Sequence, residues 1–141
     1  MSDDAANSAD SGTGTGTGGG TASAAAGAAV PDAEDRKIIT LARSARARNG
    51  VPEGAAVRDE TGRTYVAGTV ELDSLKLSAL RTAVAMAVAS GARSLEAAAV
   101  VSAAGEVSDE DRAAVRDLGG AGTPVLLAGP DGTLRTTVAA G

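Results

Sequence analysis

The chain holds no cysteine, no histidine, no tryptophan and no phenylalanine, and its one aromatic side chain is Tyr65. Without cysteine no disulfide can form, which fits a reducing cytoplasm. Without imidazole or thiolate there is no ordinary protein site for zinc, a borderline-soft ion that selects those groups. Catalytic triads that use histidine as the base are excluded too. The interior has to be filled by Val, Leu, Ile and Ala, and so thin a core favours burying more surface by self-association. No apolar run reaches the length of a membrane span. The N-terminus is acidic and lacks the charged-then-apolar pattern of a leader, so the expectation is a cytoplasmic protein with no membrane partner. A net charge of -5 argues against nucleic-acid binding by the surface as a whole.

What is present divides into two parts. The 141 residues suit one compact domain and a tail. Residues 1–32 are almost all Ser, Gly, Thr, Ala and Asp, with a Gly-Thr alternation from Gly12 to Gly18. They offer too little apolar surface to offset chain entropy, so they are expected to be a disordered low-complexity tail. The Gly-Thr run has no Gly-Lys-Ser/Thr ending and no strand before it, so it is not a phosphate loop. The folded domain is expected over residues 33–141.

Within it, Ile38, Ile39, Leu41, Ala42 and Ala45 have helical spacing, and Asn49-Gly50 stops that helix. Gly54 to Arg58, the turn Asp59-Glu60-Thr61-Gly62, and Arg63 to Val70 spell a hairpin. Leu75 to Ala89 suggests a helix ending at Ser90-Gly91. Leu95 to Ser102 is a buried strand by length and branching, and Ser108 to Leu118 a further helix. Pro124 to Leu127 is another buried strand, and Gly129-Pro130-Asp131-Gly132 turns it into a last alternating strand, Thr133 to Val138. Strand-helix-strand units imply parallel pairing with right-handed crossovers. The fold class is therefore α/β, a three-layer α/β/α sandwich around a mixed five-stranded sheet.

At this point the chain resembles the cytidine deaminase family. Members commonly read Gly-Arg-x-Tyr-x-Gly-Asn-Val-Glu, and here Gly62-Arg63-Thr64-Tyr65-Val66-Ala67-Gly68-Thr69-Val70-Glu71 stands in that place. The family's Cys-Ala-Glu-Arg-Thr-Ala is similar to Ser78-Ala79-Leu80-Arg81-Thr82-Ala83, and its Pro-Cys-Gly-Ala-Cys-Arg falls on Val107-Ser108-Asp109-Glu110-Asp111-Arg112. The resemblance runs from about Asp35 to Val138, and the link from Glu71 to Arg81 is about two residues shorter than is usual in the family. It implies the cytidine deaminase-like fold. It also implies zinc deamination, in which the metal makes hydroxide and a glutamate carries protons to the leaving ammonia.

The residues themselves oppose that chemistry. Ser78, Ser108 and Asp111 stand where the resemblance puts the metal ligands, and Leu80 stands for the proton-carrying glutamate. Zinc is expected to be absent, with no catalytic residue among these degenerate positions. Ser108 is a good helix N-cap, and the acidic residues after it suit the positive end of the helix dipole. A hard-cation site on Asp109, Glu110 and Asp111 is disfavoured because consecutive helix residues point apart. The resemblance also places Glu71, with Thr69 beside it, at the ribose hydroxyls, and makes Arg81 and Arg112 structural hydrogen-bond donors near the helix starts. Arg36, Lys37, Arg43, Arg46 and Arg48 form either a basic stripe for a partner or a solvated face. Three functions remain open: a pseudoenzyme acting as a binding or assembly module, an active nucleoside deaminase, and a nucleoside sensor that keeps the pocket and drops the reaction. Self-association into dimers or tetramers is implied by the resemblance, with the alanine-rich segment Ala83 to Ala89 as the packing surface.

Overall fold

The computed structural model describes residues 31–141. The tail expected over residues 1–32 lies outside them except for Pro31 and Asp32, and Asp32 belongs to the domain. Its carboxylate accepts from the Asp35 N–H at 2.8 Å and caps helix α1, Ala33–Asn49. The helix ends where expected, at Gly50, whose φ of 64° only glycine adopts without strain.

Strands β1 (Gly54–Asp59) and β2 (Thr64–Gly68) form the expected antiparallel hairpin. Two-residue strands β3 (Val70–Glu71) and β4 (Lys76–Leu77) then make a small separate ribbon. Helix α2, Ala79–Ala89, begins only after it. Here the structure departs from the sequence reading, which ran β2 through to Val70 and started the helix at Leu75. The ladder Val70↔Leu77 and Glu71↔Lys76 claims that backbone for strand pairing. Strand β5 (Leu95–Val101), helix α3 (Asp109–Gly119) and strands β6 (Pro124–Ala128) and β7 (Leu134–Ala139) complete the domain.

The five-stranded sheet has the order β2-β1-β5-β6-β7. Only β5 and β6 are parallel neighbours. The unit β2-α2-β5 does not give adjacent parallel strands, because β5 enters beside β1 and runs antiparallel to it. The sheet is nonetheless mixed, as expected. Strand β5 is apolar on both faces because both are covered. Ala97, Ala99 and Val101 join Ile38, Ile39 and Ala42 of α1 in one apolar cluster. Ala98 and Val100 join Leu80, Ala83 and Val84 of α2 and Val115 of α3 in the other. These two clusters are the interfaces of the three layers.

Small residues set the spacing between layers. A Cβ at Gly54 would lie 2.0 Å from the Ala42 carbonyl oxygen, so α1 lies directly on the backbone of β1. The hairpin turn is fixed from within. The Asp59 carboxylate accepts from the Thr61 N–H, the Thr61 hydroxyl and the Arg63 N–H through Oδ1, and from the Tyr65 hydroxyl through Oδ2. This use of the lone aromatic ring's polar end lets both side chains stay buried.

Candidate functional site

Helices α2 and α3 start the same way. Ser78 and Ser108 have extended backbones, and each hydroxyl accepts from an N–H three residues on, of Arg81 and Asp111 respectively, at 3.2 Å. Ser108 therefore is the cap that the sequence suggested, and Ser78 is a second one. The two caps are also joined. The Ser78 hydroxyl donates to Asp111 Oδ1 at 2.5 Å, across 33 positions of chain. Asp111 is buried at 4 % exposure, while its neighbours Asp109 and Glu110 face solvent. The three acidic residues thus point apart, as helical geometry requires.

Leu80 follows Ser78 by two residues and is fully buried in the α2–α3 side of the core. A leucine can neither give nor take a proton.

One residue of this centre is invisible to motif reading. Glu53, between Pro52 and Gly54 at the entry to β1, is half-buried. Burial pushes its carboxyl above the ordinary range, and the Asp111 charge pushes it further. Hydrogen bonds from the Ser102 hydroxyl and the Ala79 N–H pull it back. Burial likewise raises Asp111, against the Ser78 hydroxyl and the Arg81 charge, which lower it. The only sequence signal was a carboxylate set in an otherwise apolar strand entry.

The remaining candidates separate. The Thr69 hydroxyl accepts from the Glu53 N–H at 3.1 Å and lies 3.3 Å from the Glu53 carbonyl, so it is engaged with the backbone. Glu71 stands exposed on β3, opposite Lys76. Arg81 is exposed beside Asp111, whereas Arg112 Nε is buried with no hydrogen-bond partner among the described residues, against the expectation of a structural bond. The basic stripe on α1 is interrupted: Arg43 Nε donates to the Pro130 carbonyl and Arg46 Nε to the Pro52 carbonyl. An open recess on α3 is lined by Asp109, Glu110, Arg112, Ala113 and Arg116, and lies on the helix's outer flank.

The fold has counterparts among known proteins. A sequence profile described as "Cytidine deaminase-like" matches residues 31–132, most of the chain. The chain belongs to the cytidine deaminase-like family. The cytidine deaminase of Burkholderia pseudomallei is similar at 28 % identity and a TM-score of 0.66, over 74 % of this chain and 91 % of that one. The cytidine deaminase of Mycobacterium leprae shares the fold at 21 % identity and a TM-score of 0.62, over 77 % of this chain and 95 % of that one. That of Mycobacterium tuberculosis shares it at 24 % identity and a TM-score of 0.57, over 74 % and 91 %. No curated protein sequence matches the chain.

The resemblance to cytidine deaminases implies a zinc ion at the starts of α2 and α3, and the side chains there do not fit one. The donors are two capping hydroxyls and one carboxyl, with no imidazole or thiolate in the whole chain. Ser78 already commits its proton to Asp111. Among the described residues no three of His, Cys, Asp and Glu gather as ligands. What these side chains do is cap two helices and join them through the Ser78–Asp111 hydrogen bond.

Proposed function

We propose that this cytidine deaminase-like protein performs no zinc-dependent deamination and acts as a binding or assembly module in the cytoplasm. The observation that carries the reading is the hydrogen bond from Ser78 to Asp111, which joins two positions that would have to face a metal. Leu80 supports it, since its buried side chain stands where deamination needs a proton carrier.

Assembly is the better supported half. Helix α2 divides its alanine-rich segment between two faces. Ala83, Val84 and Ala87 enter the core, while Ala85, Met86, Val88 and Ala89 stay exposed. Met86 and Val88 are 41 % and 54 % exposed, on a helix whose only charge is Arg81. Such a face suits self-association. The nucleoside-binding reading has less support, because Thr69 is bonded to the backbone of Glu53.

The test is metal analysis and light scattering on one preparation purified in the presence of zinc. The expected result is zinc well below one ion per chain and a mass above the monomer. Stoichiometric zinc would overturn the first half of the proposal, and a monomer at micromolar concentration the second.

A further inference from the structure

The sequence carries only two side-chain amides, Asn7 and Asn49, and no glutamine. Asn49 is followed by Gly50, whose missing side chain leaves its backbone nitrogen open to close approach. Such a pair has chemistry of its own. The Gly50 nitrogen attacks the Asn49 Cγ, so that an N–Cγ bond forms and the Cγ–Nδ2 bond breaks. The proton from Gly50 passes through water to the departing group, which leaves as ammonia. Water then opens the cyclic imide at one of its two carbonyls and leaves aspartate or isoaspartate at position 49. No oxidant, reductant or cofactor is consumed.

The exit of α1 is built to hold this reaction back. Asn49 is exposed, so water reaches it, but it is the last helical residue. The Gly50 N–H donates to the Arg46 carbonyl at 3.0 Å, and the Val51 N–H donates to the same oxygen at 3.3 Å. A nitrogen in that bond keeps its proton and points back along the helix. Ring closure instead needs the two reacting atoms aligned and about 3–3.5 Å apart. The amide is engaged as well. It fills the space that a Cβ at Gly68 would take, with Nδ2 2.8 Å from that position, and so lies over the end of β2. The chain beyond is tied down at two points. Arg46 Nε donates to the Pro52 carbonyl at 3.0 Å. The Glu53 N–H donates to the Thr69 hydroxyl at 3.1 Å, and the Thr69 N–H to the Glu53 carbonyl at 3.2 Å. Arg46 therefore latches the exit twice, through its carbonyl and through its guanidinium.

We propose that Asn49 is a site of spontaneous deamidation gated by the last turn of α1. The folded exit withholds the attacking nitrogen, and local opening releases it, so the cost of opening sets the rate. The product disturbs the same turn. Aspartate at position 49 puts a carboxylate at the negative end of the helix dipole, where Arg46 and Arg48 supply the favoured charge. Isoaspartate adds an atom to the main chain before Gly50 and displaces the left-handed cap. A passing opening of α1 is thereby made permanent.

The experiment is peptide mass mapping of the full chain kept in mildly alkaline buffer, folded and in urea, beside Arg46→Ala treated in the same way. Exchange of an amide for a carboxyl raises the fragment mass, and digestion separates the fragments that hold Asn7 and Asn49. Conversion at Asn49 is expected to be about tenfold or more slower in the folded chain than in urea, the ratio reporting the local opening. Arg46→Ala is expected to raise the folded rate several-fold and to leave the rate in urea unchanged. Absence of conversion at Asn49 in urea overturns the site. Equal rates in the folded and unfolded chain overturn the gate, and so does a folded rate that Arg46→Ala leaves unchanged. If circular dichroism finds Arg46→Ala unfolded, hydrogen exchange of the Gly50 amide in the wild type decides the gate. Protection of that amide supports it, and exchange as fast as in urea overturns it.

Discussion

Single side chains carry most of what distinguishes this domain. Leu80 is fully buried in the core, two residues after the cap of α2. Its replacement by alanine is expected to cost about 2–5 kcal/mol, the range for emptying a leucine site in a packed core, measured by denaturant unfolding. Asp59 shows the opposite electrostatics to Glu53. Burial raises its carboxyl, but hydrogen bonds from the Thr61 hydroxyl and N–H, the Tyr65 hydroxyl and the Arg63 N–H outweigh this and hold it below the ordinary range. A lowered folded-state value gives stability that is present above the unfolded value and lost as the pH falls through the folded one. Asp59→Asn is therefore expected to lower the melting temperature at neutral pH and to narrow the gap to wild type as the pH falls below the ordinary carboxyl range. Glu53 was not legible at all. Its meaning lies in four segments converging on one carboxyl, and no local pattern of residue types encodes that convergence.

Elements were legible where punctuation is strong. Gly50, Ser108 and the Asp59–Gly62 turn mark boundaries that the structure keeps within a residue or two. The segment from Leu75 to Leu77 was misread because apolar spacing alone cannot separate a helix start from a short strand; the pairing partner, Val70–Glu71, decides it. Element packing makes a sharp contrast in mutational cost. Ser108→Ala removes one capping acceptor and is expected to cost about 1 kcal/mol. Gly54→Ala forces a methyl group into the Ala42 carbonyl of α1 and has to push the helix off the sheet. It is expected to cost well over that amount, with loss of near-ultraviolet circular dichroism from Tyr65 before loss of helical signal.

At the scale of the whole molecule, the order of elements and the mixed sheet were legible because each local preference agrees with the global fold. The adjacency of β5 to β1 was not, since a right-handed crossover does not say how many strands it passes. Family and chemistry come apart here. The fold and the matched profile place the chain in the cytidine deaminase-like family, while its composition lacks every imidazole and thiolate. Nothing in helix length or hydropathy among the described residues provides a membrane-crossing helix. The central proposal is that this scaffold performs no zinc-dependent deamination. Its most direct test is uridine formation from cytidine by the purified protein with zinc added. No turnover above the uncatalysed rate is expected, with or without chelator. Sustained turnover that a chelator abolishes would contradict the account.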